Sequence, residues 1–233
     1  MLLFKDIYNK AINLFDDPII MRAYAEDAVR WEKLMYPYLE NGVNKFTNPT
    51  KIAFLLVDQT LPSGQIETFT GNGTDTYSTT PGAFTPADGA DFSFYIGTEI
   101  DKGATYSNGT VTFSKAVPEG TTCGVEWYFA GKFNADFQDA ASRTVSAQVI
   151  EYRVKDILAN ALVLAWAEDE KNFLLDIKNL LTDHDFRIYS PANSIAAKQN
   201  WVNSIKFNLD TQTNKLSWDL YSRQFHGGNY YGL

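Results

Sequence analysis

The chain has 233 residues, 45% of them hydrophobic and 15% aromatic, enough to close one good-sized domain or a domain carrying an inserted module, and too apolar for wholesale disorder. Its 20 Lys and Arg stand against 28 Asp and Glu, a net charge of -8 with a pI near 4.8. That excludes a protein that works by gripping phosphate backbones, which takes clustered cations to displace counterions.

The single cysteine, Cys123, can make neither an intramolecular disulfide nor a thiolate metal cage, so a reducing setting is expected. The opening Met1 to Asp6 has no basic stretch and meets charge early, so no secretory signal is expected there. Glycine divides the chain: eleven of the fifteen lie between Gly64 and Gly131. Charge divides it too, with three basic against nine acidic residues in 51–130. The middle is therefore expected to be a different kind of structure from its flanks.

Residues 1–50 predict two helices. Leu3, Ile7, Ala11, Leu14 and Phe15 fall at helical spacing. Asp17-Pro18 then supplies a capping carboxylate and a proline at the first helical position of the second, with Ile20, Tyr24, Ala28, Trp31, Leu34 and Met35 on one face. Pro37 and Asn41-Gly42 mark its expected end. Trp31 and the neighbouring tyrosines read as core packing at this spacing.

Residues 51–130 change to a period of two, with Phe92, Phe94 and Ile96 on one face, Val111 and Phe113 on another, and Val125, Trp127 and Phe129 on a third. Asn108-Gly109 suits a tight hairpin needing positive φ at both turn positions, and Gly71-Asn72-Gly73 makes a second turn. An inserted antiparallel β sandwich or barrel is expected. Asn72-Gly73-Thr74 and Asn108-Gly109-Thr110 match glycosylation acceptors in form, and turn chemistry explains both.

Residues 131–210 return to helix. Val145, Val149, Tyr152, Ile157, Ala161 and Ala165 lead into the apolar run Ile157 to Ala167. That run falls short of the roughly 20 residues of a membrane span, so it predicts a helix buried by neighbours of its own chain or of adjacent subunits, and no membrane partner. Phe173, Leu174, Ile177, Leu180 and Leu181 give an amphipathic helix, and Ser190-Pro191 opens another with Trp201, Val202, Ile205 and Leu209. The fold class expected is thus α+β, a mainly helical body interrupted by the β module.

Residues 211–233 form an aromatic-rich C-terminal end. Leu216, Trp218 and Leu220 alternate with polar neighbours, and Phe225, Tyr230 and Tyr231 follow among glycines. Either a strand folds back on its own domain, or an arm reaches a neighbour or partner, because aromatics dominate buried interface anchors. The candidate partner-binding residues are Trp218, Leu220, Tyr221, Phe225, Tyr230 and Tyr231.

Motifs for chemistry are lacking. His184 and His226 stand in no metal-binding spacing, and the consecutive Asp183-His184-Asp185 converge poorly on one ion. There is no G-x-S-x-G, and Cys123 falls within a strand as a small hydrophobe. The glycine turns lack the G-K-[ST] of a phosphate loop. No enzyme, cofactor or metal is expected, and a glycosidase carboxylate pair is a weak signal on an acidic chain. A carbohydrate-recognition reading would stack sugars on Trp127, Tyr128 and Tyr95, although the strand alternation turns Trp127 toward a core.

Leu14-Phe15-Asp16-Asp17-Pro18, the Tyr24 to Leu39 helix with Asn41-Gly42, and Ser190-Pro191-Ala192-Asn193-Ser194 leading into Lys198-Gln199-Asn200-Trp201-Val202 resemble the helical framework of tailed-bacteriophage head-tail connector proteins (adaptor, or head-completion, proteins). The stretches Phe69 to Thr74, Tyr106 to Ser114 and Val125 to Tyr128 resemble the small β modules of phage virion proteins, which also occur in tail and fibre proteins. The resemblance implies a virion component assembled in the host cytoplasm: a homo-oligomeric ring, commonly of twelve copies, bound below the portal protein. Such a ring extends the DNA channel, with DNA near but not gripped, and offers a surface to tail or fibre proteins. A tail or fibre-attachment protein is the alternative.

Overall fold

The computed structural model describes residues 1–15, 17–138, 140–141, 145–181 and 191–221, with the backbone alone for 174–181 and 191–194. In chain order the elements are β1 (Leu2–Leu3), α1 (Phe4–Ala11), a 3-10 turn (Ile12–Leu14), α2 (Pro18–Glu26), α3 (Ala28–Lys45), α4 (Thr50–Leu55), β2 (Gln59–Thr60), β3 (Ser63–Thr70), β4 (Thr76–Ser78), β5 (Asp91–Ile96), β6 (Glu99–Ile100), β7 (Thr105–Ser107), β8 (Thr110–Thr112), β9 (Thr122–Phe129), β10 (Lys132–Phe133), α5 (Ala147–Leu181) and α6 (Pro191–Tyr221). About half of the described residues are helix and about a fifth are strand, the mixed class expected. Two compact units divide it: residues 1–16, 35–59 and 133–233 form one, and residues 17–34 and 60–132 the other.

The helical unit is built on α5, whose residues Ile157 to Ala167 are all buried. Its cover comes from within the chain. Phe4, Ile7, Tyr8 and Ala11 of α1, and Val202, Ile205 and Leu216 of α6, are buried in this unit, and α1 and α6 both pack on α5. Adjacent subunits are therefore not needed to shield the apolar run. Gly42 of α3 shows how closely the backbones approach: a Cβ there would lie 3.0 Å from the Ala161 carbonyl carbon of α5, which only glycine avoids without a shift. Phe4 packs on Phe133 with ring centroids 4.7 Å apart, and Phe15 on Trp166 edge-to-face at 5.0 Å.

The helix expected from Asp17 to Pro37 is instead two. The Asp17 side chain accepts from the Ile19 amide at 2.8 Å with Pro18 in the first turn, as the sequence pattern requires. Asp27 then breaks the run at φ -149° and caps the next helix, its Oδ1 accepting from the Arg30 amide at 3.0 Å. Pro37 and Gly42 lie inside α3 and do not end it. Leu34, expected on the inner face, is exposed, whereas Trp31 and Met35 are buried. Val149, Tyr152 and Phe173, read as core-facing, are also exposed. Phe173 to Leu181 are the C-terminal end of α5 rather than a separate helix.

In the β unit, one sheet runs in the order β3-β9-β5-β6 and another β4-β8-β7. Both are antiparallel. They contribute to one buried cluster: Phe94 and Ile96 of β5, Cys123, Val125 and Trp127 of β9, Tyr77 of β4, and Val111 of β8 followed by Phe113. Phe94, Ile96, Val111, Phe113, Val125 and Trp127 are alternating positions expected, whereas Phe92 and Phe129 are half-buried against the cluster and Tyr77 joins it unforeseen. Neither of these sheets closes on itself, and β3 and β6 remain at the edges of theirs, so the barrel alternative is set aside. Asn108 and Gly109 take φ 49° and 78° between β7 and β8, the primed turn read from the sequence.

Two boundaries differ from expectation. Residues 51–55, counted with the β module, belong to the helix α4, which begins at Thr50. Residues 17–34 belong with the β unit: the Lys33 ammonium pairs with Glu126 of β9 and stands over the Tyr128 ring at 5.2 Å. Lys102 donates to the Ala25 carbonyl at 2.7 Å. A short sheet in the order β1-β10-β2 completes the strands.

Candidate functional site

Residues 211–221, expected as part of an extended arm, are the last turns of α6. No glycine or proline follows Pro191 within it, and its buried or half-buried residues Val202, Ile205, Leu209, Gln212 and Leu216 recur every three or four positions, the spacing of a helix seam. The period-two pattern of Leu216, Trp218 and Leu220 is thus coincidental. Leu216 is fully buried, Trp218 is 72% exposed, and Leu220 and Tyr221 are half-buried. Phe225, Tyr230 and Tyr231 lie outside the described residues.

The seam is locked by polar partners. Asn160 of α5 donates from Nδ2 to the Asp156 carbonyl at 2.8 Å and to Gln212 Oε1 at 3.3 Å. Arg153 of α5 pairs with Asp219 of α6, and Lys198 of α6 pairs with Glu170 of α5. The Lys198 ammonium also stands 4.5 Å from the Trp166 ring centre and 4.8 Å from that of Trp201. These pairings run antiparallel along the two helices. Glu168 sits between Lys206, at 2.7 Å, and Lys45. Burial pushes its carboxyl up, but the hydrogen bonds and charges of the two lysines outweigh this and hold it below its usual range.

With its seam turned inward, α6 presents an outer face of Asn203, Phe207, Thr211, Asn214 and Trp218, all exposed. Phe207 (70% exposed) and Trp218 are three helical turns apart, so both project from the same side with about 16 Å of rise between them. Tyr221 reaches Thr50 at the start of α4 with 3.3 Å between the hydroxyl oxygens. Phe54, one turn further along α4, is 79% exposed. The helical unit thus carries exposed aromatics on a polar background. Phe207 and Phe54 were missed from the sequence, although Phe207 stands off the Val202, Ile205 and Leu209 stripe.

No group of three or more His, Cys, Asp and Glu among the described residues is arranged to hold a metal. Asp183, His184, Asp185 and His226 lie outside the described residues. Cys123 is fully buried and burial pushes its thiol up, away from thiolate chemistry. Trp127 and Tyr128 are each 6% exposed, and Trp127 donates its indole N–H to Gln65 at 3.1 Å, so neither offers a sugar-stacking face. A polar cavity of about 210 Å³ between Gly42 to Asn48, Ala161 and the 209–214 stretch of α6 is walled by Lys45, Asp210 and Asn214 without a convergent catalytic pair.

No helix of the described residues is long and apolar enough to cross a membrane. No protein-family model, curated protein or solved structure matches this chain.

Proposed function

We propose that this chain is a structural virion protein that forms a ring between portal and tail, extends the DNA channel and provides a tail-docking surface. The observation that carries the reading is a pair of unlike exposed surfaces on two separately cored units. The helical unit closes its own core and still exposes Phe207, Trp218 and Phe54. The β unit carries six basic against twelve acidic residues. A cyclic ring needs two different complementary surfaces per subunit; the exposed aromatics of the helical unit are the candidate for one of them, and the acidic β unit is the candidate tail-docking surface. An acidic protein near DNA repels the backbone over a Debye length of about 8 Å, which favours sliding over sticking.

Imaging of intact particles, or of the chain co-expressed with a portal protein, tests this directly. A ring of this chain beneath the portal is the expected result. Density confined to the tail periphery would favour the tail or fibre-attachment alternative, and a monomer that ignores the portal would end the ring reading.

A further inference from the structure

β3 is an eight-residue edge strand whose register with β9 runs without interruption from Ser63↔Phe129 to Thr70↔Thr122. The Gly71 amide donates to the Thr121 carbonyl at 2.7 Å, which fixes the phase of the ladder. Backbone groups of the odd-numbered residues, Ser63 to Phe69, face β9, and those of Gly64, Ile66, Thr68 and Thr70 point outward. No hydrogen bond to these outward groups exists among the described residues.

Natural edges are blunted by proline, by lysine, by a bulge or by a covering segment. β3 reads Ser-Gly-Gln-Ile-Glu-Thr-Phe-Thr, with neither proline nor lysine and no bulge. Its one charge, Glu67, is held by the Thr80 amide at 2.8 Å and hydroxyl at 2.6 Å. Gln65 accepts from the Thr85 amide at 3.1 Å. These contacts tether the 80–85 loop on one side of the strand and leave a groove of about 300 Å³ lined by Gln65, Ile66, Glu67, Ala83 and Phe84. Ile66 is 59% exposed.

From this juxtaposition we infer that the open edge of β3 is a docking site for an extended, basic segment of a different protein, which adds as a strand and places an apolar side chain in the groove beside Phe84. Main-chain hydrogen bonds supply the affinity in this mode and the pocket supplies the selectivity. Charge identifies the partner class. The β unit has a net charge of -6, six basic against twelve acidic residues, so two copies repel each other and a segment flanked by Lys or Arg is drawn in. The inference concerns the β unit alone and stands whether or not the helical unit forms a ring.

The test uses the full chain and three synthetic probes: an alternating Val-Thr octapeptide flanked by lysines, the same peptide flanked by glutamates, and the lysine peptide N-methylated at alternate residues on its bonding edge. Binding is followed by fluorescence anisotropy, and amide hydrogen exchange is followed over Ser63 to Thr70. The lysine peptide is expected to bind and to slow exchange at Gly64, Ile66, Thr68 and Thr70. N-methylation, which removes the donors, is expected to weaken binding by at least about tenfold, and glutamate flanks are expected to weaken it as well. Absence of binding, or equal binding of the N-methylated peptide, would overturn the proposal. So would a dimer of the chain that protects β3 without peptide.

Discussion

Asp101 concentrates the hydrogen bonding of one corner of the β unit on a single carboxylate. It is 8% exposed, and its two oxygens accept from the Gly103 amide at 3.0 Å and the Ser114 amide at 2.8 Å. Burial pushes its carboxyl up, but the donors of Ser114 and Gly103, helped by the charge of Lys115, outweigh burial and hold it below the usual Asp range. Because the folded value is depressed, the unfolded chain binds more protons, so the stabilisation is complete above the ordinary Asp pKa of about 4 and is lost as pH falls through the folded value. Asp101→Asn turns one acceptor into a donor facing a backbone amide, which should cost about 1 to 3 kcal/mol at neutral pH. Urea unfolding should show a clear gap between wild type and variant near pH 7 that narrows near pH 3; an equal gap at both would refute the assignment. Gly124 sets a second constraint. A Cβ there would lie 2.7 Å from the Glu67 carbonyl oxygen and 2.3 Å from the Tyr95 hydroxyl. Gly124→Ala should therefore destabilise the chain by about 1 to 3 kcal/mol, from overpacking at a backbone that cannot retreat cheaply, readable as a lower urea midpoint.

Among the elements, the described part of the seam between α5 and α6 includes a polar layer, Asn160 with Gln212, set among the apolar Val202, Ile205, Leu209 and Leu216 of α6. Such a layer fixes register at some cost in stability. Asn160→Leu alone strands the Gln212 side chain and should lower the thermal midpoint, whereas Asn160→Leu with Gln212→Leu should recover the loss or exceed it, because replacing both partners by apolar groups removes the desolvation cost together with the bond. The double-mutant cycle should give a coupling of at least about 0.5 kcal/mol; strict additivity would mean that the two side chains do not interact. The same helix shows what the sequence made legible and what it hid. Val202, Ile205 and Leu209 announce the seam, and Pro191 announces the start. Beyond Leu209 the seam passes through Gln212, a polar residue, so the apolar period fades just where Leu216, Trp218 and Leu220 imitate a strand. Continuity without glycine or proline was the better signal, since nothing in that stretch stops a helix. On α3 the reverse happened: Pro37 and Gly42 read as stops, but the helix runs through both, and at Gly42 the missing Cβ is what lets α3 approach Ala161 of α5.

At the scale of the whole molecule, the division into a helical and a β unit was legible from glycine and charge because those residues report local conformation and solvation. The membership of residues 17–34 was not, because it rests on pairings distant in sequence, Lys33 with Glu126 and Lys102 with the Ala25 carbonyl, that no local pattern encodes. The exposed aromatics were half legible: Trp218 was singled out, but Phe207 and Phe54 emerge as exposed only once the seam of α6 and the fold of α4 are known. Their exposure gives the assembly proposal its sharpest test. Removing side chains that are 70% and 72% exposed forfeits little burial within the chain, so Phe207→Ala with Trp218→Ala should shift the thermal midpoint only slightly. If the outer face of α6 is an interface, the same change removes two buried anchors from it, each worth about 2 kcal/mol or more in association, a loss of roughly 10³-fold for the pair. Sedimentation of the co-expressed complex beside thermal unfolding of the free chain separates the two effects. An unchanged melt with lost assembly assigns the face to a partner; an unchanged melt with assembly intact removes the α6 face from consideration and turns the search to the other exposed surfaces, Phe54 of α4 and the open edge of β3 among them.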